Sequence, residues 1–173
     1  EIQSDLIDYA YKLREKDPIA SKKSNQGGWQ SFDFVVNDSD DILHNLLINC
    51  IKKFPRFKNN VYAFMDAWVN INKTGDYNLT HDHPDCDLSG VLWVKAPKDC
   101  GNIVFDSPVG FQTYREVNSY CDDFKRENAI FKSYYYTPKE GRIIMFPSHL
   151  KHDVKKNMSQ EDRISVSFNI RLE

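Results

Sequence analysis

Two hydrophobic periods divide this chain. Leu6, Tyr9, Ala10 and Leu13 recur at helical spacing behind Ser4 and Asp5, either of which can cap a helix, and Asp17-Pro18 ends the pattern. A second helix is predicted from Ser39, with Asp40 and Asp41 in its first turn and Leu43, Leu46, Leu47, Cys50, Ile51 and Phe54 as its apolar positions. Lys52 and Lys53 fall near its carboxyl end, where cations meet the negative end of the helix dipole. Both read as outer support helices, and His44 falls on the exposed face of the second. From Val61 onward the period becomes two, and residues 61–72, 88–94, 102–105, 133–136, 142–146 and 163–172 read as strands between turn residues. Short strands with no helices between them argue for a sandwich or barrel, not a doubly wound parallel sheet. The stretch 107–128 is polar, charged and weakly periodic, a candidate long loop or lid. The run Tyr134-Tyr135-Tyr136 reads as core packing and edge cover, or as the lining of a substrate cleft.

Composition narrows the class. With 173 residues, 40% hydrophobic and 28% charged, the chain has the material for one domain with one core. A net charge of -2 supplies no field to recruit a polyanion, so nucleic acid is not an expected partner. Nor is a membrane: no apolar run approaches the ~20 residues needed to cross a bilayer, and no signal segment opens the sequence shown. The four cysteines include no CxxC pair, so reduced thiols and a cytoplasmic location are expected.

Histidine placement is the first chemical signal. Of five histidines, four fall in two clusters, His81 and His83 in Thr80-His81-Asp82-His83-Pro84-Asp85 and His149 and His152 in Ser148-His149-Leu150-Lys151-His152. On an extended segment residues i and i+2 share a face, so His81 and His83 can offer two imidazoles to one metal, with a third ligand arriving from a distant strand. Three ligands on one side of a metal leave the other side open, as non-haem Fe(II) oxygenases require; chance clustering at the surface is the competing reading. Arg163 follows the second cluster on a strand whose positions 163, 165 and 167 share one face. It can carry a planar cation into the cavity holding the metal, where a carboxylate is its natural bidentate partner, or it can pair at the surface with Glu161 and Asp162. Asn70 and Asn72 point the same way from a predicted core strand, and buried amides require partners.

Together these stretches resemble the 2-oxoglutarate/Fe(II)-dependent dioxygenase superfamily, and within it the oxygenase branch known from marine bacteria and cyanophages. The similarity covers roughly residues 61 to 172 and rests on Trp68–Asn72, Tyr77–Pro84 with its HxHP, Leu88–Val94, Gly101–Pro108, Gly141–His152 and Arg163–Asn169; Ser24–Ser31 looks like an upstream signature of the phage branch. The resemblance implies a mainly β fold with N-terminal helices, a double-stranded β-helix (jelly roll, cupin-like) with iron at the open mouth between two sheets. The chain is then a single oxygenase domain, 1–173, with a helical support region at 1–58 and a jelly-roll core at 59–173. It implies Fe(II) as cofactor and 2-oxoglutarate and O2 as co-substrates, with conversion of 2-oxoglutarate to succinate and CO2 coupled to hydroxylation of an unactivated C–H bond. It carries over His81, His83 and His152 as metal ligands, Arg163 as partner of the distal carboxylate and Ser165 as a second donor beside it. Trp93 falls where relatives often carry a Tyr that donates to 2-oxoglutarate, and either donates through its indole N–H or only packs. Asn70 is expected to line the co-substrate pocket or to make a structural hydrogen bond, and His149 is assigned to the rim.

One departure bears on the site. The superfamily usually reads HxD before the distal His, whereas His83 occupies that place here; an alternative frame makes His83-Pro84-Asp85 the HxD, with Asp85 replacing His81. A three-histidine cupin-like metalloenzyme that uses no keto acid is the competing function, and a non-catalytic binding module is a third. The substrate is expected to be a small molecule or peptide, with a prolyl residue first by similarity to prolyl hydroxylases. If the chain is phage-encoded, its compartment is the host cytoplasm.

Overall fold

A computed structural model describes residues 2–33, 42–52, 62–110 and 115–172. Helix α1 (Ile2–Lys16) opens the chain, followed by two short strands, β1 (Asn25–Gln26) and β2 (Trp29–Gln30), and helix α2 (Ile42–Lys52). Then come β3 (Tyr62–Asn72), β4 (Tyr77–His81), β5 (Leu88–Lys95), β6 (Ile103–Asp106), helix α3 (Asp122–Glu127), β7 (Ser133–Tyr136), β8 (Ile143–Pro147), β9 (His152–Val154) and β10 (Arg163–Leu172). The strands form two five-stranded sheets, ordered β2-β3-β10-β5-β8 and β1-β4-β9-β6-β7, with antiparallel pairing throughout. From β3 to β10 the chain crosses from one sheet to the other at nearly every step, which is the winding of a double-stranded β-helix, as expected.

Strand alternation decides what each face of the first sheet meets. Along β10, Ile164, Val166, Phe168 and Ile170 face outward and join Ala67, Val69 and Ile71 of β3 and Leu92 and Val94 of β5. Leu6 and Ala10 of α1 and Leu43, Leu47 and Ile51 of α2 close over them. The opposite face of β10 presents Arg163, Ser165, Ser167 and Asn169 to a cavity of about 330 Å³ between the sheets. The larger apolar core therefore lies outside the sandwich, beneath the helices. A smaller one, Val91, Trp93, Ile103, Phe105 and Phe146, fills part of the interior.

Several expectations are adjusted. Helix α1 begins before Ser4 and Asp5, so both lie inside it, and Asp5 acts from the first turn, where a carboxylate meets the positive dipole end. The expected cap of the second helix, Ser39–Asp41, and its end at Lys53–Phe54 lie outside the described residues, as does the side chain of His44. The stretch 107–128 is not one long loop. It contains a 3-10 turn at Arg115–Ser119 and α3, whose acidic first turn and basic last turn pair as Asp122–Lys125 at 3.5 Å and Asp123–Arg126. Tyr134, Tyr135 and Tyr136 are exposed on β7 at the sheet edge and do not pack a core. Cys86, Cys100 and Cys121 are free thiols. Among the described residues no helix is long and apolar enough to cross a membrane.

Gly90 shows how tightly β5 and β10 are fitted. It pairs with Phe168, and a Cβ there would sit 2.2 Å from the ring's Cζ. Gly90→Ala should lower stability by about 1–3 kcal/mol in urea unfolding, the usual penalty of overpacking. Adding Phe168→Leu should make the double variant less destabilised than the sum of the two single changes.

Candidate active site

The turn that follows β4 and the start of β9 bring the histidines together. His81, the last residue of β4, lies directly opposite His152, the first of β9, so two imidazoles from distant parts of the sequence share one face of the second sheet. Their ring centroids are 4.4 Å apart, and those of His83 lie 5.1 Å from His81 and 5.2 Å from His152. One nitrogen from each ring falls within a cluster whose atoms all lie within 4.8 Å of one another. His149 is exposed and outside the cluster. Asp85 is exposed at a backbone φ of 66°, so the strand does not run on through Pro84 and its carboxylate is not in the cluster.

Two of the rings have their tautomer set by the backbone. His81 Nδ1 donates to the Leu79 carbonyl at 2.7 Å and His152 Nδ1 to that of Leu150 at 2.8 Å, which leaves both Nε2 atoms as acceptors. His83 is held differently, by its backbone N–H to the Ser148 carbonyl at 3.0 Å and by stacking on Trp68 at 5.6 Å. Burial, reinforced by repulsion from its neighbours, lowers His83 to about 3 and His152 to about 4, and burial lowers His81 as well. The three imidazoles are therefore neutral near pH 7, the form that binds metal. The turn after His83 is tied down by β10: Arg171 donates to the Asp85 carbonyl at 3.1 Å, and the Leu172 N–H donates to the Asp87 carboxylate at 2.8 Å.

Arg163 stands at the other end of the same strand. It is 1% exposed and, among the described residues, has no ion pair; Glu161 pairs instead with Lys95, and Asp162 with Arg14 and Tyr11. Its Nη1 donates to the carbonyls of Cys100, Gly101 and Lys155, while its Nη2 is buried without a partner in the cavity wall. Burial lowers its pKa to about 10, which still leaves it charged at neutral pH. Ser165, Asn70 and Trp93 line the same cavity, and Asn70 donates to the Ser167 hydroxyl at 3.2 Å. A buried cation with a free donor, facing a cavity shared with three neutral imidazoles, can hold an anion beside a metal.

The upstream segment supplies what strand patterning alone misses. β1 pairs with β4 and β2 with β3, so residues 25–30 strap the two sheets together. The strap turns at Gly27 and Gly28, both at positive φ, where a Cβ on Gly27 would lie 2.0 Å from Asp76 Oδ1. Ser24, just before it, comes within 3.4 Å of His81 Nε2, and Gln30 is buried in the cavity wall with its Nε2 unpartnered. The available signal was Gly27-Gly28 followed by Trp29 and Gln30, one facing the outer core and the next the cavity.

Solved structures share the fold. No curated protein sequence matches the chain. Among solved structures, a prolyl-4-hydroxylase from Pseudomonas putida superposes with a TM-score of 0.63 at 13% identity, over 99% of this chain and 87% of that one. A viral collagen prolyl hydroxylase of Paramecium Bursaria Chlorella virus-1, in complex with 2OG, gives 0.62 at 18%, covering 99% and 90%. HygX from Streptomyces hygroscopicus, with nickel and 2-oxoglutarate bound, gives 0.59 at 6%, covering 98% and 77%. At these identities the similarity establishes the fold, the double-stranded β-helix. A family model described as "Putative 2OG-Fe(II) oxygenase" matches residues 66–169, most of the chain, and the protein therefore belongs to the 2-oxoglutarate/Fe(II)-dependent oxygenase family.

Proposed function

We propose that the protein is a hydroxylase in which His81, His83 and His152 hold Fe(II) and Arg163 holds the distal carboxylate of 2-oxoglutarate. The observation that carries this reading is the buried, unpartnered Nη2 of Arg163 in the cavity lined by the three imidazoles. An orphaned buried donor on a cation is costly, and a diacid removes the cost by accepting from it. The donor set fits the metal: three neutral imidazoles from one side leave positions open for co-substrate and O2. Bound there, Fe(II) supplies the redox chemistry by which 2-oxoglutarate and O2 become succinate and CO2 as one C–H bond of the substrate becomes C–OH.

The chain's own residues bind and orient. The carbonyls of Leu79 and Leu150 keep two Nε2 atoms aimed inward, and Trp68 fixes the plane of His83. Ser165, across the strand pair from Trp93, is the second donor beside Arg163, and Trp93 and Asn70 bound the co-substrate. Phe105 and Phe146 pack against His152, with ring centroids at 5.5 and 4.8 Å, and keep water from that side of the centre. The all-imidazole set also suits a three-histidine oxygenase without a keto acid, but such an enzyme has no use for the Arg163 cation.

Anaerobic titration with Fe(II) and 2-oxoglutarate should give a weak visible charge-transfer band, and succinate should form when air is admitted; a protein that binds metal yet gives neither is not this enzyme. His152→Ala or His81→Ala should weaken metal binding by more than about a hundredfold, since loss of an outer-shell partner alone costs ~10–100-fold, while Asp85→Ala should leave the affinity unchanged. Arg163→Met should keep metal bound and weaken 2-oxoglutarate by about 2–5 kcal/mol in calorimetric titration, the cost of truncating one partner of a buried charge pair.

A further inference from the structure

Among the described residues three buried side-chain atoms lack hydrogen-bond partners: Arg163 Nη2, Gln30 Nε2 and Asp66 Oδ1. All three belong to residues in the wall of the one cavity. Two are donors, and a diacid can accept from them. The third is an acceptor. A dicarboxylate offers Asp66 no proton and repels it, so the co-substrate proposed above leaves this atom without a partner.

The surroundings of Asp66 define the chemistry that such a partner needs. Ser89 donates to Asn169 Oδ1 at 2.8 Å, which fixes the orientation of the Asn169 amide; burial disfavours the charged form of the Asp66 carboxylate, and the Asn169 amide opposes that effect. The Oδ1 of that carboxylate has no hydrogen-bond partner among the described residues. The β3–β10 ladder pairs Asp66 with Asn169 and then skips one β3 residue to pair Phe64 with Ile170, a bulge of the kind that re-aims side chains beside active sites. Lys23, whose charge attracts the Asp66 carboxylate, is paired with Asp33 at 2.5 Å and lies over the Trp68 ring at 5.5 Å. Asp66 and Trp68 share a face of β3, and Trp68 in turn stacks on His83.

We infer that Asp66 anchors a cationic nitrogen of the primary substrate, an alkylammonium group whose aliphatic carbons lie along Trp68 towards the three histidines. This rests on the function proposed above and names the substrate class for the same site. A free amino acid or a lysine side chain meets the requirement. A prolyl residue within a peptide does not, because its nitrogen is an uncharged amide without a hydrogen to donate. A cation supplies the interaction that Asp66 Oδ1 lacks, and an aromatic face beside it suits an alkylammonium stem.

The test uses the protein loaded anaerobically with Mn(II) and 2-oxoglutarate, read by proton NMR line broadening of added probes. The methylene resonances of n-butylammonium and L-lysine should broaden at least about fivefold more than those of n-butanol and butyrate, because only the ammonium gains a charge-assisted pair. Asp66→Asn, verified as folded by circular dichroism, should raise the Kd for n-butylammonium at least about tenfold. Equal broadening of ammonium, alcohol and acid by the unaltered protein would overturn the inference, as would an Asp66→Asn protein that keeps the ammonium preference. Broadening of 2-oxoglutarate's own methylenes in the same samples reports the proposed function separately. A protein that takes 2-oxoglutarate and ignores the amines refutes only the Asp66 assignment, whereas one that takes no 2-oxoglutarate refutes the reading beneath it.

Discussion

A sheet sandwich that turns polar side chains inward cannot be held together by its own interior, and this constraint organises the molecule. On β10 the residues facing the cavity are Arg163, Ser165, Ser167 and Asn169, and those facing away are Ile164, Val166, Phe168 and Ile170. Burial of apolar area is the main favourable term in folding, so the outward face has to be covered, and α1 and α2 cover it. The helices are thus what allows a cavity full of donors and acceptors to exist between the sheets. The smaller apolar group around Trp93 and Phe146 is confined to one flank, beside His152.

Within that interior the histidines are held by unequal means. His81 and His152 are cross-strand partners, and each donates to a carbonyl two residues earlier in its own chain segment, so position and tautomer come from backbone alone. His83 sits beyond the end of β4 and depends on the Ser148 loop and the Trp68 ring. The geometry of the third imidazole is therefore coupled to the side of the cavity where Trp68 and Asp66 lie.

Period-two alternation over ten residues made β10 legible, and turn residues at their ends bounded the shorter strands: β7 and β10 occur at their expected bounds, and β5, β6 and β8 within one residue. Strands β1, β2 and β9 are two or three residues long, too short for a period to show, and they exist because longer neighbours offer them an edge. The expected convergence of His81, His83 and His152 is seen in the cluster, while Asp85 lies outside it on a turn at positive φ, which no spacing rule reveals. Arg163 could be read as an inward cation, but its missing partner is visible only once the neighbouring carboxylates are seen to be engaged elsewhere. Gln30 stands in the sequence only as one member of the Ser24–Ser31 stretch, and Asp66 has no signal at all, because a lone carboxylate carries no motif.

β10 also has a role that belongs to length. It carries the buried guanidinium at its first residue and, at Arg171 and Leu172, the contacts that fasten the turn following His83. The strand is a ruler laid across the site, with the buried guanidinium at one mark and the turn that follows His83 at the other. Losing or gaining a single residue along it would change that span by ~3.3 Å and exchange its two faces, sending serines under the helices and isoleucines into the cavity. The extra residue that this region does accommodate is carried by β3 instead, at the bulge, where the ruler is left intact.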